Sequence, residues 1–204
     1  MDQHLTTFYQ TLLAEGDPLV GQSKKQIVWK KNKATLYRYE STSKKKYPVP
    51  ILIVYALINK PYILDLSPDD SFIQALLKKG HDVFLLDWGT PGLEDRGMTF
   101  EQYMTYIQKS CKEVLRASHA SELTLLGYCM GGVFTSLFTA LHPNVPVKNM
   151  ILLTTPFDFS KSNLFSLWLD DTHFNLNQTV DTMGLIPASL IDFGSKLLTP
   201  YDSF

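Results

Sequence analysis

The stretch LTLLGYCMGG, residues 123–132, decides the fold of this chain. Residues 123–126 form an apolar run with strand character, most of residues 127–132 are small, and residues 133–141 have the apolar pattern of a helix. This order predicts a strand, a sharp turn and a helix, with Cys129 at the apex of the turn. Gly127-x-Cys129-x-Gly131 has the spacing of a nucleophile elbow, with cysteine in place of serine.

The spacing of this motif has a physical reason. A side chain at Gly127 or Gly131 would crowd the neighbouring strand and helix, because the chain turns so tightly between them. The apex also lies at the N-terminus of the following helix, where the dipole and free N–H groups stabilise a thiolate and a developing oxyanion. A buried structural cysteine in a strand-to-helix turn is the alternative interpretation of Cys129.

Apolar strands alternate with helical patterns along the rest of the chain. Strands are predicted over 27–29, 35–39, 50–58, 82–88 and 147–154, and helices over 71–79 and 99–117. In the second helix Thr99 is the expected N-cap, with Gln102 three residues on. The pattern predicts an α/β fold with a mostly parallel sheet. We expect a helical segment over 1–24, the α/β core over 25–157 and the start of a cap over 158–204.

The composition excludes several classes of protein. The chain has 204 residues, with 19 basic and 20 acidic side chains, so nothing indicates a nucleic-acid partner. It shows no signal peptide, no apolar run of membrane-spanning length, no metal-ligand spacing and no phosphate loop. Two cysteines do not indicate a disulfide framework. We expect a soluble cytoplasmic protein without a metal or cofactor.

A cysteine nucleophile needs a base, and the histidines can be screened by position. The reactive edge of a parallel sheet lies at the carboxyl ends of its strands. His81 and His119 precede strands and His142 ends the elbow helix, so all three should lie at the opposite edge. His4 is in the N-terminal segment, and only His173 could reach the reactive edge. We interpret all five as ordinary surface or core histidines.

Two acids and the second cysteine are weaker candidates. Asp87 and Asp158 end strands, so each is either a triad acid or a turn residue. Cys111 falls on the apolar face of the 99–117 helix, and we interpret it as a core residue. The residues therefore offer a nucleophile without a convincing partner.

Several further motifs, in order, resemble the catalytic subunit of polyhydroxyalkanoate synthase. They are VWKKNK (28–33), LYRY (36–39), VYALINKPYILDL (54–66), LDWGTPG (86–92), GYCMGG (127–132) and PFDF (156–159). The similarity covers nearly the whole chain from about Gly21. It is closest to the short two-component types, class IV and then class III, whose partner is a small second subunit.

The resemblance implies an α/β-hydrolase fold with a cap. It also implies that the acyl group of (R)-3-hydroxyacyl-CoA is added to a growing polyester chain and that CoA is released. It implies that Cys129 carries the acyl group and that the backbone N–H of Met130 donates to the oxyanion. We place the second oxyanion donor at Ile58, near the end of the 50–58 strand. A homodimer and a location at the granule surface also follow from the resemblance.

The resemblance breaks at the C-terminus. In this family the triad order is Cys, Asp, His, and both partners lie well downstream of the cap. No position up to Phe204 matches either of them, so we expect an N-terminal portion of a synthase, impaired as it stands. A non-catalytic module that binds the partner subunit or a granule, and a thioesterase or esterase of the same fold, are the alternatives.

Overall fold

The structure is a computed structural model that describes residues 20–41, 43–44, 46–159, 175–189 and 191. The strands are β1 (Lys25–Lys31), β2 (Ala34–Tyr39), β3 (Ile51–Val54), β4 (Val83–Asp87), β5 (Leu123–Tyr128) and β6 (Val147–Leu153). The helices are α1 (Phe72–Lys79), α2 (Phe100–Ser118), α3 (Met130–Leu141) and α4 (Leu176–Met183).

The six strands form one mixed sheet in the order β1-β2-β4-β3-β5-β6. The pairs β4–β3, β3–β5 and β5–β6 are parallel, whereas β1–β2 and β2–β4 are antiparallel. The predicted α/β class with a mostly parallel sheet is therefore confirmed. β5, which leads to Cys129, lies between β3 and β6, so the carboxyl ends of three parallel strands meet at the predicted reactive edge.

The hydrophobic core has one layer on each face of the sheet. Alternate residues of the central strands point to opposite faces. Leu52, Val54 and Leu125 pack against α2 and α3, and Ile53 packs with Ile73 of α1 on the other face. All five side chains are fully buried. This double covering explains why the central strands are continuous apolar runs.

The predicted 50–58 strand is shorter in the structure. β3 ends at Val54, and residues 57–59 form a bend. The backbone carbonyl of Tyr55 accepts a hydrogen bond from Trp88 Nε1 at 2.8 Å. An apolar run cannot by itself reveal where strand pairing stops. The predicted strand therefore extends four residues beyond the observed end of β3 at Val54.

The first two helices begin and end at residues suited to capping. The side chain of Ser71 accepts a hydrogen bond from Gln74 N at the start of α1, and Gly80 ends that helix with φ 97°. Thr99 is the N-cap of α2, as predicted, and its N–H donates to Oε1 of Gln102 at 2.7 Å, which is one half of a capping box. The second predicted helix therefore begins as expected and ends one residue later.

The predicted division into three regions stays a prediction. Residues 1–19, which carry most of the expected N-terminal helix, lie outside the described residues, and so does most of the expected cap. In the described part of the cap region, α4 follows Asn175, whose side chain accepts from Gln178 N. No helix in the described ranges has the length and apolar character that crossing a membrane requires.

Candidate active site

Cys129 lies between the last residue of β5 and the first residue of α3. Its backbone has φ 53° and ψ −127°, a conformation that side-chain-bearing residues rarely adopt. The Cys129 N–H donates to the carbonyl of Leu153 in β6 at 2.9 Å, and the Cys129 carbonyl accepts from Gly132 N at 2.8 Å. The predicted strand, turn and helix are present, and the strained residue is the one at their apex.

Three glycines allow the turn to pack against its neighbours. A Cβ on Gly131 would lie 2.7 Å from the carbonyl oxygen of Tyr55 and would overlap that of Val54. A Cβ on Gly127 would overlap the backbone of Gly132. The crowding predicted at Gly127 and Gly131 is therefore confirmed. Gly132 is a further requirement, because a Cβ there would overlap the side chain of Thr155.

The thiol of Cys129 is half-buried at the N-terminus of α3. Met130 is the first helical residue, so its N–H has no acceptor within the helix. The N-terminal end of the helix dipole also favours negative charge on a bound oxyanion. This geometry suits an oxyanion donor at Met130, and that role stays a prediction.

Ile58, the second predicted donor, lies in the bend after β3, and its side chain is 62% exposed. The residues of this segment that approach the elbow closely are Val54 and Tyr55, whose carbonyl oxygens face Gly131. The structure therefore places Ile58 four residues beyond the end of β3 rather than at it. Its role as a backbone donor stays a prediction.

Tyr55 is a residue at this site that the sequence analysis missed. Its side chain is 1% exposed, and its ring stacks on that of Tyr128 with the centroids 5.2 Å apart. Burial, followed by the nearby Tyr128 and Cys129, raises the pKa of the Tyr55 phenol well above its usual value. In the sequence, the only signal of such a role for Tyr55 was its hydroxyl, which stands inside the otherwise apolar run of residues 50–58.

The three described histidines lie away from Cys129, as predicted. His81 precedes β4 and stacks on Tyr47 at 4.6 Å. His119 ends α2 with φ 55°, and His142 follows α3 and stacks on Phe138 at 4.5 Å. His4 and His173 lie outside the described residues, so the interpretation of these two stays a prediction.

The two candidate acids differ in their surroundings. Asp87 ends β4, and its Oδ1 accepts a hydrogen bond from Gly89 N at 2.9 Å, which makes it a turn residue. Asp158 lies five residues after the end of β6 and is exposed.

Cys111 is a core residue, as predicted. It is 1% exposed within α2, and burial raises the pKa of its thiol to about 12.

A cavity of about 470 Å³ opens at the other edge of the sheet, where β3 begins. Its lining includes Tyr47, Ile51, His81 and Asn149, and it does not reach Cys129. The elbow, rather than this cavity, is therefore the candidate active site in the described part of the chain.

Comparison with known proteins agrees with this architecture. Residues 49–191 match the family model described as alpha/beta hydrolase fold. The chain belongs to the α/β-hydrolase family. Among solved structures, it is similar to a soluble variant of monoglyceride lipase from Saccharomyces cerevisiae, with a TM-score of 0.51 and 15% identity, over 78% of this chain and 54% of that one. It is also similar to the Francisella virulence factor BioJ, with a TM-score of 0.50 and 15% identity over 76% and 51% of the two chains.

Within that family, the sequence is similar to polyhydroxyalkanoate polymerases. Residues 13–76 match the model described as poly-beta-hydroxybutyrate polymerase (PhaC) N-terminus. The chain is 40% identical to the poly(3-hydroxyalkanoate) polymerase subunit PhaC of Haloferax mediterranei, over 91% of this chain and 38% of that protein. It is 41% identical to that of Allochromatium vinosum, over 89% and 51%. The chain thus spans about half the length, or less, of these relatives, and the predicted resemblance is confirmed.

Proposed function

We propose that this chain carries the nucleophile-bearing part of a polyhydroxyalkanoate synthase catalytic subunit. The observation that carries the proposal is the elbow: a half-buried cysteine with φ 53° at a helix N-terminus, in a sequence 40% identical to polymerase subunits over 91% of its length. The substrate would be (R)-3-hydroxyacyl-CoA. No cofactor is required, because the acyl group moves between two thiols.

The proposed first step is a thioester exchange. The Cys129 thiol loses its proton, its sulfur attacks the acyl carbonyl, and the bond between the carbonyl carbon and the CoA sulfur breaks. CoA leaves as a thiol after it takes up a proton, and the acyl group stays on Cys129. The backbone N–H of Met130, with a second donor that we place at Ile58, would hold the carbonyl oxygen while it carries negative charge.

The acyl group would then pass to the hydroxyl end of the growing polyester. This step also needs a base to remove the hydroxyl proton. Among the residues that the structure describes, no histidine lies at the elbow edge of the sheet. We therefore infer, from the resemblance, that the triad Asp and His belong to the part of a synthase beyond the segment matched here.

The partners and location are also inferred from the resemblance. We propose a small second synthase subunit as the protein partner, with homodimerisation as a further association. We place the protein in the cytoplasm at the surface of polyester granules.

The test is an acyl-enzyme assay on the 204-residue chain. The chain is incubated with (R)-3-hydroxybutyryl-CoA, alone and with a separately expressed C-terminal half of a relative. CoA release and the intact protein mass are then measured. In the sample that contains the complementing half, we expect an acyl adduct that disappears in Cys129→Ala and persists in the matched control Cys111→Ala. An adduct that survives Cys129→Ala would show that another group is the nucleophile.

Two other outcomes would favour the alternatives. Free acid from several acyl-CoAs, without polymer, would indicate a thioesterase. No adduct even with the complementing half, together with binding to the second subunit that Cys129→Ala leaves unchanged, would indicate a non-catalytic module.

A further inference from the structure

The backbone carbonyl of Tyr55 receives its hydrogen bond from a side chain and not from a strand. The parallel pairing of β3 with β4 and with β5 ends at Val54, so Tyr55 is the first residue beyond both ladders. Tyr55 is 1% exposed, and a buried carbonyl needs a hydrogen-bond donor. Trp88 Nε1 donates to this carbonyl at 2.8 Å. The indole therefore holds the chain at the point where the sheet no longer does.

The same carbonyl lies against the helix that follows Cys129. Its oxygen is 2.7 Å from the position that a Cβ on Gly131 would occupy. Gly131 is the second residue of α3 and follows Met130, the predicted oxyanion donor. The position of the Tyr55 peptide therefore sets how closely the segment after β3, which carries the predicted donor Ile58, approaches the elbow.

The indole of Trp88 is also packed against α3. Its ring meets that of Phe134 in α3 edge-on, with the centroids 6.2 Å apart, and that of Tyr103 in α2 at 5.2 Å. Phe134 is 7% exposed and stacks on Tyr103, so these rings form part of the core. Trp88 thus contacts the segment after β3 through its N–H and the elbow helix through its ring.

The segment after Tyr55 has few other contacts that could fix its backbone. In the part of the chain that the structure describes, residues 56–59 make no hydrogen bond. At the next residue, Lys60 Nζ donates to Thr90 Oγ1. Both of these side chains are exposed, so water competes for their hydrogen bond. The bond from Trp88, whose acceptor is buried, is therefore the firmer anchor.

We propose that Trp88 is a positioning residue, whose indole N–H holds the backbone after β3 where the second oxyanion donor is needed. Loss of this N–H would release the segment but leave the nucleophile in place, because the backbone of Cys129 is held by Leu153 and Gly132. Trp88 should therefore affect reactions in which an oxyanion forms and not the reactivity of the sulfur itself. The inference rests on the proposed acyl transfer to Cys129.

The test compares two reagents on Cys129, and neither is an acyl-CoA. With p-nitrophenyl acetate, the sulfur attacks the carbonyl, an oxyanion forms, p-nitrophenolate leaves and the acetyl group stays on the sulfur. With iodoacetamide, the sulfur displaces iodide and no oxyanion forms. Peptide mapping by mass spectrometry measures both rates. A failure of the acyl-CoA assay would leave this comparison unaffected, so the two proposals can fail separately.

Two changes are made at position 88. Trp88→Phe removes the N–H and part of the ring. Benzothienylalanine, introduced by amber suppression, keeps the two-ring shape and has sulfur in place of the N–H. The isostere separates the hydrogen bond from the packing, and it decides the question by itself if circular dichroism shows that Trp88→Phe is unfolded.

Trp29→Phe is the matched control. Trp29 is also half-buried, packs on the same core layer and meets a tyrosine ring edge-on, with its centroid 6.0 Å from that of Tyr106. It lies in β1, at the end of the sheet farthest from β6, and no described residue accepts a hydrogen bond from its N–H. The control should leave both rates unchanged.

We expect both changes at position 88 to slow acetylation of Cys129 about tenfold and alkylation less than about twofold. Equal slowing with the two reagents would overturn the proposal, because it would show a general disturbance of the elbow. Unchanged acetylation in both variants would also overturn it. So would a normal acetylation rate with benzothienylalanine, since the ring and not its N–H would then be what the site needs.

Discussion

The two cysteines of this chain lie in opposite kinds of surroundings. Cys111 lies in the middle of α2, is 1% exposed and packs in the core against the sheet. Cys129 lies at the N-terminus of α3, is half-buried and has a backbone φ of 53°. The side chain is the same, and only its position in the fold differs.

The comparison shows how a fold assigns chemistry to a residue type. Burial raises the pKa of the Cys111 thiol to about 12, so this side chain behaves as a small hydrophobic group. Around Cys129, free helix N–H groups and partial exposure favour a nucleophile instead. Three glycines and a strained residue maintain that second environment, whereas the first needs only an apolar helix face. Substitutions around Cys129 should therefore disrupt the local structure more easily than substitutions around Cys111.

The largest expected effect comes from filling the space beside the elbow. Gly131→Ala would place a Cβ against the carbonyl oxygens of Val54 and Tyr55, and backbone atoms of a central strand cannot move aside. We expect the free energy of unfolding to fall by about 3 kcal/mol or more. Urea denaturation followed by circular dichroism measures this loss.

Gly97→Ala is the matched control, because a Cβ at Gly97 would meet no atom within 4 Å. It should change the free energy of unfolding by less than about 0.5 kcal/mol. If both variants lost the same free energy of unfolding, the close approach of Val54 and Tyr55 to Gly131 would not be the reason why position 131 needs glycine.

The elbow and the core cysteine were both predictable from local patterns. A strand, small residues and a helix around Cys129 predict the turn, and the apolar face of α2 predicts the burial of Cys111. The end of β3 was not predictable, because the hydrogen bond from Trp88 to the carbonyl of Tyr55 joins residues 33 positions apart. Tyr55 was missed for the same reason: its position beside Cys129 depends on the pairing of β3 with β5.

The second expected effect is a difference in reactivity between the two thiols. At pH 8, a thiol with a pKa of about 12 is ionised in roughly one molecule in ten thousand, and the thiolate is the form that reacts. We expect iodoacetamide to modify Cys129 at least about 100-fold faster than Cys111 in the folded chain. Peptide mapping by mass spectrometry after timed quenching measures both rates, and urea should abolish the difference. Comparable rates without urea would contradict the difference in surroundings.

The smallest expected effect comes from one substitution made at both sites. Cys111→Ser would bury a hydroxyl in an apolar layer that already contains the unpartnered hydroxyl of Ser110. It should therefore lower the free energy of unfolding by about 1–2 kcal/mol. Cys129→Ser places the hydroxyl in a half-buried turn that water can reach, so the loss should be below about 0.5 kcal/mol. Urea denaturation of both variants measures the contrast. A larger loss at Cys129 would mean that the thiol of the elbow contributes to packing, and the alternative of a structural cysteine in a strand-to-helix turn would then be favoured.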